Sequence, residues 1–185
     1  MNEFYLAEKM ISELKTEVGL YQELFGSKDS VKVLNNSYPE VFGIIQRAMH
    51  FEIVCRISAL FDPASTKSDK NLTLDYLLEV CGNKASKDLF LEAESVKYDS
   101  KRTGIKGLRN KAYAHNDLKK CFGKGVFATN ISYKILIQLL DDLFRVVRSL
   151  GVASGKMLHD QIIVRDTKLP EKRNGAKLVS KLSNA

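Results

Sequence analysis

The stretch FYLAEKMISELKTEVGLYQELF, residues 4–25, decides the fold class. Its apolar side chains fall at Phe4, Ala7, Ile11, Leu14, Val18, Tyr21 and Phe25, in alternating steps of three and four. Only a helix, at about 3.6 residues per turn, returns such a series to one side. A seam this narrow suits an antiparallel neighbour in the same bundle or a second subunit, and packing within the bundle is the expectation.

Working outward, residues 39–61 carry Val41, Ile44, Ile45, Ala48, Met49, Ile53, Val54, Ile57, Leu60 and Phe61. That stripe is too wide for a surface helix and predicts the central helix of the bundle, with Pro39 in its first turn and Asp62-Pro63 ending it. Arg47, His50, Glu52 and Arg56 interrupt its apolar pattern. Residues 63–71 read as a polar loop, and Thr73 as the cap of a short helix that runs through Leu78 and ends near Gly82. A second short helix is predicted over 85–97, followed by a break at 99–103. Ile105, Leu108, Ala112 and His115 then share one helical face, with Asn116 and Gly123 marking the exit. The last long helix is predicted over 131–150, capped by Thr129 or Asn130, and 156–164 is open between helix and strand.

The fold class expected is therefore all-α: an up-and-down bundle of four to five main helices with short accessory helices and a flexible basic C-terminal tail. Residues 1–164 form the helical domain, and 165–185 form a basic tail, expected to be disordered because it carries too little apolar surface to offset the entropy of ordering. No internal repeat interrupts this scheme.

With 185 residues, 44% of them hydrophobic and 28% charged, the chain can bury one core of ordinary size. The formal charge is +7, but residues 165–185 hold six Lys/Arg against two acids, leaving the body only mildly basic. Cys55, Cys81 and Cys121 are odd in number and lie among apolar neighbours, so they read as reduced thiols. Their spacing does not suit zinc, even with His50, His115 and His159, and neither a metal nor a cofactor is expected. The first residues show neither a basic n-region nor an apolar h-region, and no apolar run reaches membrane-spanning length, so a cytoplasmic protein without membrane contact is expected. Gly123-Lys124-Gly125 lacks the spacing of a phosphate-binding loop, and no Ser sits in a nucleophile elbow.

The chemistry gathers in Leu108-Arg109-Asn110-Lys111-Ala112-Tyr113-Ala114-His115-Asn116-Asp117. A guanidinium that matches phosphate oxygens and an imidazole that exchanges a proton at neutral pH are together sufficient groups to cleave a phosphodiester. In a regular helix Arg109 and His115 lie about 120° apart, so either the motif straddles a helix end or copies from two subunits share the work. The residues alone leave a second role open, because His115 on the Leu108/Ala112 face near a helix C-terminus also suits packing and the helix dipole.

Arg109-Asn110 followed after five residues by His115 resembles the Arg-to-His signature of the HEPN superfamily. The surrounding Leu108-Arg109-Asn110-Lys111 and Ala114-His115-Asn116-Asp117 are similar to the branch typified by a phage abortive-infection protein of the U type. The upstream Ile57-Ser58-Ala59-Leu60-Phe61-Asp62 and Asn71-Leu72-Thr73-Leu74 look like that branch too, and the likeness spans roughly 38–150. The resemblance implies a metal-independent endoribonuclease of phage defence, a toxin-antitoxin pair or a stress response, acting as a homodimer with a composite cleft. It implies His115 as general base or acid at the ribose 2′-hydroxyl, and Arg109 stabilising the transition-state charge. Asn110 would orient Arg109 or the phosphate, Asp62 and Asp117 would hold His115 in one tautomer, and Asn116 is a further supporting polar group. Lys111, Tyr113 and Arg56 complete the set as candidate RNA-binding side chains. The partners implied are RNA, a second subunit, and an antitoxin or other regulatory protein. Because members of the superfamily also serve as non-catalytic binding modules, a helical module for protein or RNA binding is the alternative. No Tyr stands two residues after His115, so the branch silenced by nucleotidylation of such a Tyr is not implied.

Overall fold

In the computed structural model the described residues are 2–110, 131–158 and 169–184, and they fold into eight α-helices with one two-stranded ribbon. Helix α1 (Glu3–Phe25) starts where the Asn2 side chain accepts hydrogen bonds from the backbone N–H of Phe4 and Tyr5, both at 3.1 Å. The seam then behaves as its spacing requires: Phe4, Ala7, Ile11, Leu14 and Val18 are buried. Their main partner is α7 (Tyr133–Ala153), capped by Ser132, whose buried face runs Leu136, Leu139, Leu140, Leu143, Val146, Val147 and Leu150. The cap is thus Ser132, whose hydroxyl oxygen accepts from the Ile135 N–H at 3.3 Å, rather than Thr129 or Asn130.

Helix α3 (Pro39–Ala59) begins with proline in its first turn and ends two residues earlier than the apolar pattern suggests. Tight turns, with Phe61 N–H on Ser58 O at 3.2 Å and Asp62 N–H on Ala59 O at 3.1 Å, carry the chain on to Asp62. It is not the central helix. Phe42, Ile53, Val54 and Ile57 reach the core, whereas Val41 and Ile44 are 52% and 59% exposed. The central element is α7, on which α1, α4 (Leu74–Cys81) and α5 (Lys87–Thr103) all pack. Counting apolar residues along α3 therefore overstates its burial, since they occupy two opposite faces.

Three other elements differ from expectation. Helix α2 (Lys28–Ser37), capped by Ser27, buries only Leu34, too weak an apolar stripe to stand out in the sequence. The 63–71 loop contains a short ribbon, β1 (Ser65–Thr66) paired antiparallel with β2 (Asp69–Lys70), and the Asn71 side chain ties it down by donating to Pro63 O and Thr66 Oγ1. Helix α5 runs on through Asp99–Thr103, because its inward row is Ala93, Val96, Ser100 and Thr103, all buried. Two hydroxyl residues complete that row, so the apolar count stops before the helix does. Thr73 caps α4 as expected, accepting from the Tyr76 N–H at 3.3 Å.

The tail also departs from expectation. Residues 175–183 form α8 (Gly175–Ser183), docked on α1 and α2. Leu24, Leu34 and Phe42 make a second small apolar cluster, and Val179 and Leu182 pack against it. What orders this basic segment is a ready-made apolar groove on the body, which no local composition reveals.

Candidate functional site

The site begins with a change of direction. Helix α5 ends at Gly104, whose φ of 71° lies in the left-handed region that favours glycine. The chain then enters the single turn α6 (Ile105–Leu108), anchored by fully buried Ile105 and by the Thr103 hydroxyl, which accepts from the Ile105 N–H at 3.1 Å. Arg109 and Asn110 follow in wider π-helical geometry, a distortion that recurs at functional sites. α6 packs on α3, which brings Arg109 to the residues just beyond the end of that helix.

There Arg109 meets Asp62 as a fork: Nη1 donates to Oδ2 at 2.6 Å and Nη2 to Oδ1 at 3.1 Å. Its Nε donates to Asn110 Oδ1 at 3.1 Å, and Lys106 Nζ lies 3.1 Å from Asp62 Oδ1. A guanidinium has five N–H donors, and among the described residues the fork and Asn110 use three of them. Both side chains of the pair are about four-fifths shielded, at 21% and 24% exposure, where charge-assisted hydrogen bonds hold geometry well. Burial pushes the Asp62 carboxyl up, but the hydrogen bonds and charges of Arg109 and Lys106 outweigh it and hold the group below its usual range. The Asp62 hydrogen bond likewise strengthens the hold of Arg109 on its proton. Among the described residues, two cations stand against one carboxylate in this cluster, a surplus of positive charge and the polarity a phosphate needs.

Cys55, near enough to feel the Arg109 charge, has its thiol pushed up by burial, with Arg109 acting in the opposite sense. Arg56 lies elsewhere, turned toward α1: it pairs with Glu17, with Glu13 at 3.6 Å and with Glu52 at 3.8 Å. Of the residues singled out in the sequence, the structure brings together Arg109, Asn110 and Asp62. His115, Asn116, Asp117, Lys111 and Tyr113 lie outside the described residues. Lys106 was missed by sequence reasoning, although its place three residues before Arg109 puts both on one helical face. Among the described residues no group of three or more His, Cys, Asp or Glu is arranged to hold a metal.

The described residues thus form a helical bundle in which an Arg-Asn pair at the end of a short helix is clasped from the end of a neighbouring one. The match to a family model gives the class: the model described as AbiU2, of the HEPN group, covers residues 6–161, and the chain belongs to this abortive-infection family. No curated protein and no solved structure matches the chain.

Proposed function

We propose that the chain is a metal-independent endoribonuclease that acts as a homodimer in the cytoplasm during phage defence or a related stress or toxin-antitoxin response. The observation that carries this reading is the guanidinium of Arg109, held by Asp62 and Asn110 beside Lys106, with two cations against one carboxylate among the described residues. In the proposed step the ribose 2′-oxygen attacks the adjacent phosphorus and the bond to the 5′-oxygen breaks. The products are a 2′,3′-cyclic phosphate and a 5′-hydroxyl. His115 takes the 2′-proton or supplies a proton to the leaving oxygen, and Arg109 donates to the non-bridging oxygens as their charge grows. A donor already fixed by Asp62 and Asn110 reorganises little when that charge appears, which is where preorganisation contributes most. Regulation by an antitoxin or another protein belongs to the same reading. Among the described residues no helix is long and apolar enough to cross a membrane.

The test is cleavage of a single-stranded RNA by purified protein in excess chelator. The wild type is expected to cut and leave cyclic-phosphate ends. His115→Ala and Arg109→Ala are each expected to lose roughly a hundredfold or more in rate with the helical content intact. Undiminished cutting by His115→Ala would remove the imidazole from the chemistry. A second reading, a non-catalytic HEPN module for protein or RNA binding, draws support from the same fork, since a carboxylate that takes two of the five Arg109 donors also serves as a packing clasp. On that reading Arg109→Ala lowers the melting temperature and no RNA is cut by any variant.

A further inference from the structure

The helix α8 lies beyond residues 6–161, the part matched by the family model, yet it is built into the body. Its Asn174 cap accepts from the Lys177 N–H at 2.9 Å, and the Gly175 N–H donates to Glu23 Oε2 of α1 at 2.8 Å. A side chain at position 175 would sit 3.0 Å from both Glu23 Cβ and Leu24 Cγ, so the approach is as close as glycine permits. Leu169 enters the groove between α1 and α7, beside Gly19, Leu20 and Ile137. Together with Val179 and Leu182 these contacts fix which side of α8 faces inward.

The outward side is then fixed too. Lys177 and Lys181 are one turn apart on the opposite face, and Lys172 and Arg173 stand just before the helix; all four are exposed. Among the described residues none of these four cations is paired with a carboxylate; unpaired cations of the body such as Lys67, Lys87 and Lys101 lie far apart along the chain, whereas these four fall within ten consecutive residues. With only Glu171 among them, these charges form a locally basic segment, and a polyanion that it neutralises gains free energy by releasing its condensed counterions to solution. A helix rigidly seated on apolar contacts holds these charges in a fixed array rather than on a solvated tail, which removes the entropy cost of ordering them at binding.

We propose that the exposed face of α8, with Lys172, Arg173, Lys177 and Lys181, is a docking surface for the phosphate backbone of single-stranded RNA, separate from the Arg109 cluster. It rests on the ribonuclease reading only in supplying the substrate. The surface adds affinity and residence time without reading sequence, so it lowers KM and leaves the chemical step alone.

The experiment measures binding of a fluorescent single-stranded RNA of twenty nucleotides to the full chain carrying His115→Ala, by anisotropy across a salt series. Converting Lys172, Arg173, Lys177 and Lys181 to Gln is expected to weaken binding about tenfold at moderate salt. It should also make the log–log salt slope shallower by roughly 3, at about 0.7 per lost phosphate contact. Lys177→Gln with Lys181→Gln alone should give about half that change in slope, which guards against a folding defect in the larger variant. A matched fourfold change of the exposed body lysines Lys67, Lys87, Lys101 and Lys134 to Gln should leave the slope nearly as in the parent. With His115 intact, the α8 variant should cut with unchanged kcat and a raised KM. An unchanged slope, or an equal loss in the body variant, overturns the inference. Binding to phosphatidylserine vesicles that falls in the α8 variant while RNA binding stays unchanged overturns it in favour of a membrane surface. If the wild type cuts no RNA but the slope change is found, the ribonuclease reading fails and the docking surface stands.

Discussion

At the scale of single residues, Asp62 is the group on which the site depends. Its carboxylate accepts from both ends of the Arg109 fork and from Lys106, so Asp62→Asn leaves two cations facing one neutral amide. A charge-assisted hydrogen bond to a half-buried partner is worth about 1.5–3 kcal/mol, and a loss of that order in unfolding free energy is expected. The pH dependence has a definite sign. The folded-state carboxyl lies below its ordinary value of 3.8, so its contribution is fully present above that value and disappears as pH falls through the lower folded-state value. Denaturant titrations of wild type and Asp62→Asn should therefore differ at neutral pH and converge on strong acidification. A gap that persists unchanged into acid would mean that the ion pair is not what Asp62 contributes. Asp62 entered the sequence reading only through the resemblance, and no local signal in the sequence pointed to Arg109 as its partner. The resemblance implied that it holds His115, which lies outside the described residues; the structure shows it on Arg109, because the turn after α3 and the chain reversal at Gly104 meet at that point.

At the scale of elements, Gly104 links α5 to the site. A β-carbon in the left-handed region costs about 1–2 kcal/mol, and relaxing φ toward a helical value would continue α5 straight and swing Arg109 away from Asp62. Gly104→Ala is expected to lower stability by about that amount and to reduce RNA cleavage even at a temperature where the variant is fully folded; Gly107→Ala, at an open position two residues before Arg109, should do neither. Equal behaviour of the two variants in a melt and in a cleavage assay would dismiss the hinge. The long helices were readable because Phe4 to Val18 and Leu136 to Leu150 repeat their apolar residues at helical spacing on one face. The second half of α5 was not, since Ser100 and Thr103 fill inward positions, with the Thr103 hydroxyl donating to Ser100 O at 2.6 Å in place of apolar contact. Helix α8 was not readable for a different reason: its order comes from Leu24, Leu34 and Phe42, more than a hundred residues away in sequence.

At the scale of the whole molecule, the proposed dimer has a surface to use. Val41, Ile44 and Ala48 on α3 follow steps of three and four on an exposed face, and Arg47 and Glu52 flank it with opposite charges that self-pairing can match. Ile44→Glu is expected to convert the protein to monomer in sedimentation at micromolar concentration while leaving helical content intact, since Ile44 is 59% exposed and contributes little to the core. A wild type that is monomeric under those conditions, or an Ile44→Glu protein as dimeric as its parent, would exclude this face as the interface.

Hydrophobic periodicity is a local property of the chain, and it settled by itself that this is an all-α protein and roughly where α1, α3 and α7 run, while capping residues marked α4 and the resemblance singled out Arg109 and Asn110. Which helix is central, which carboxylate grips Arg109, and that the basic end of the chain docks rather than floats were decided only when distant segments came together. Those outcomes depend on contacts between residues far apart in sequence, and the burial energy of such contacts is set by the surfaces that meet, not by the order of residues within either one.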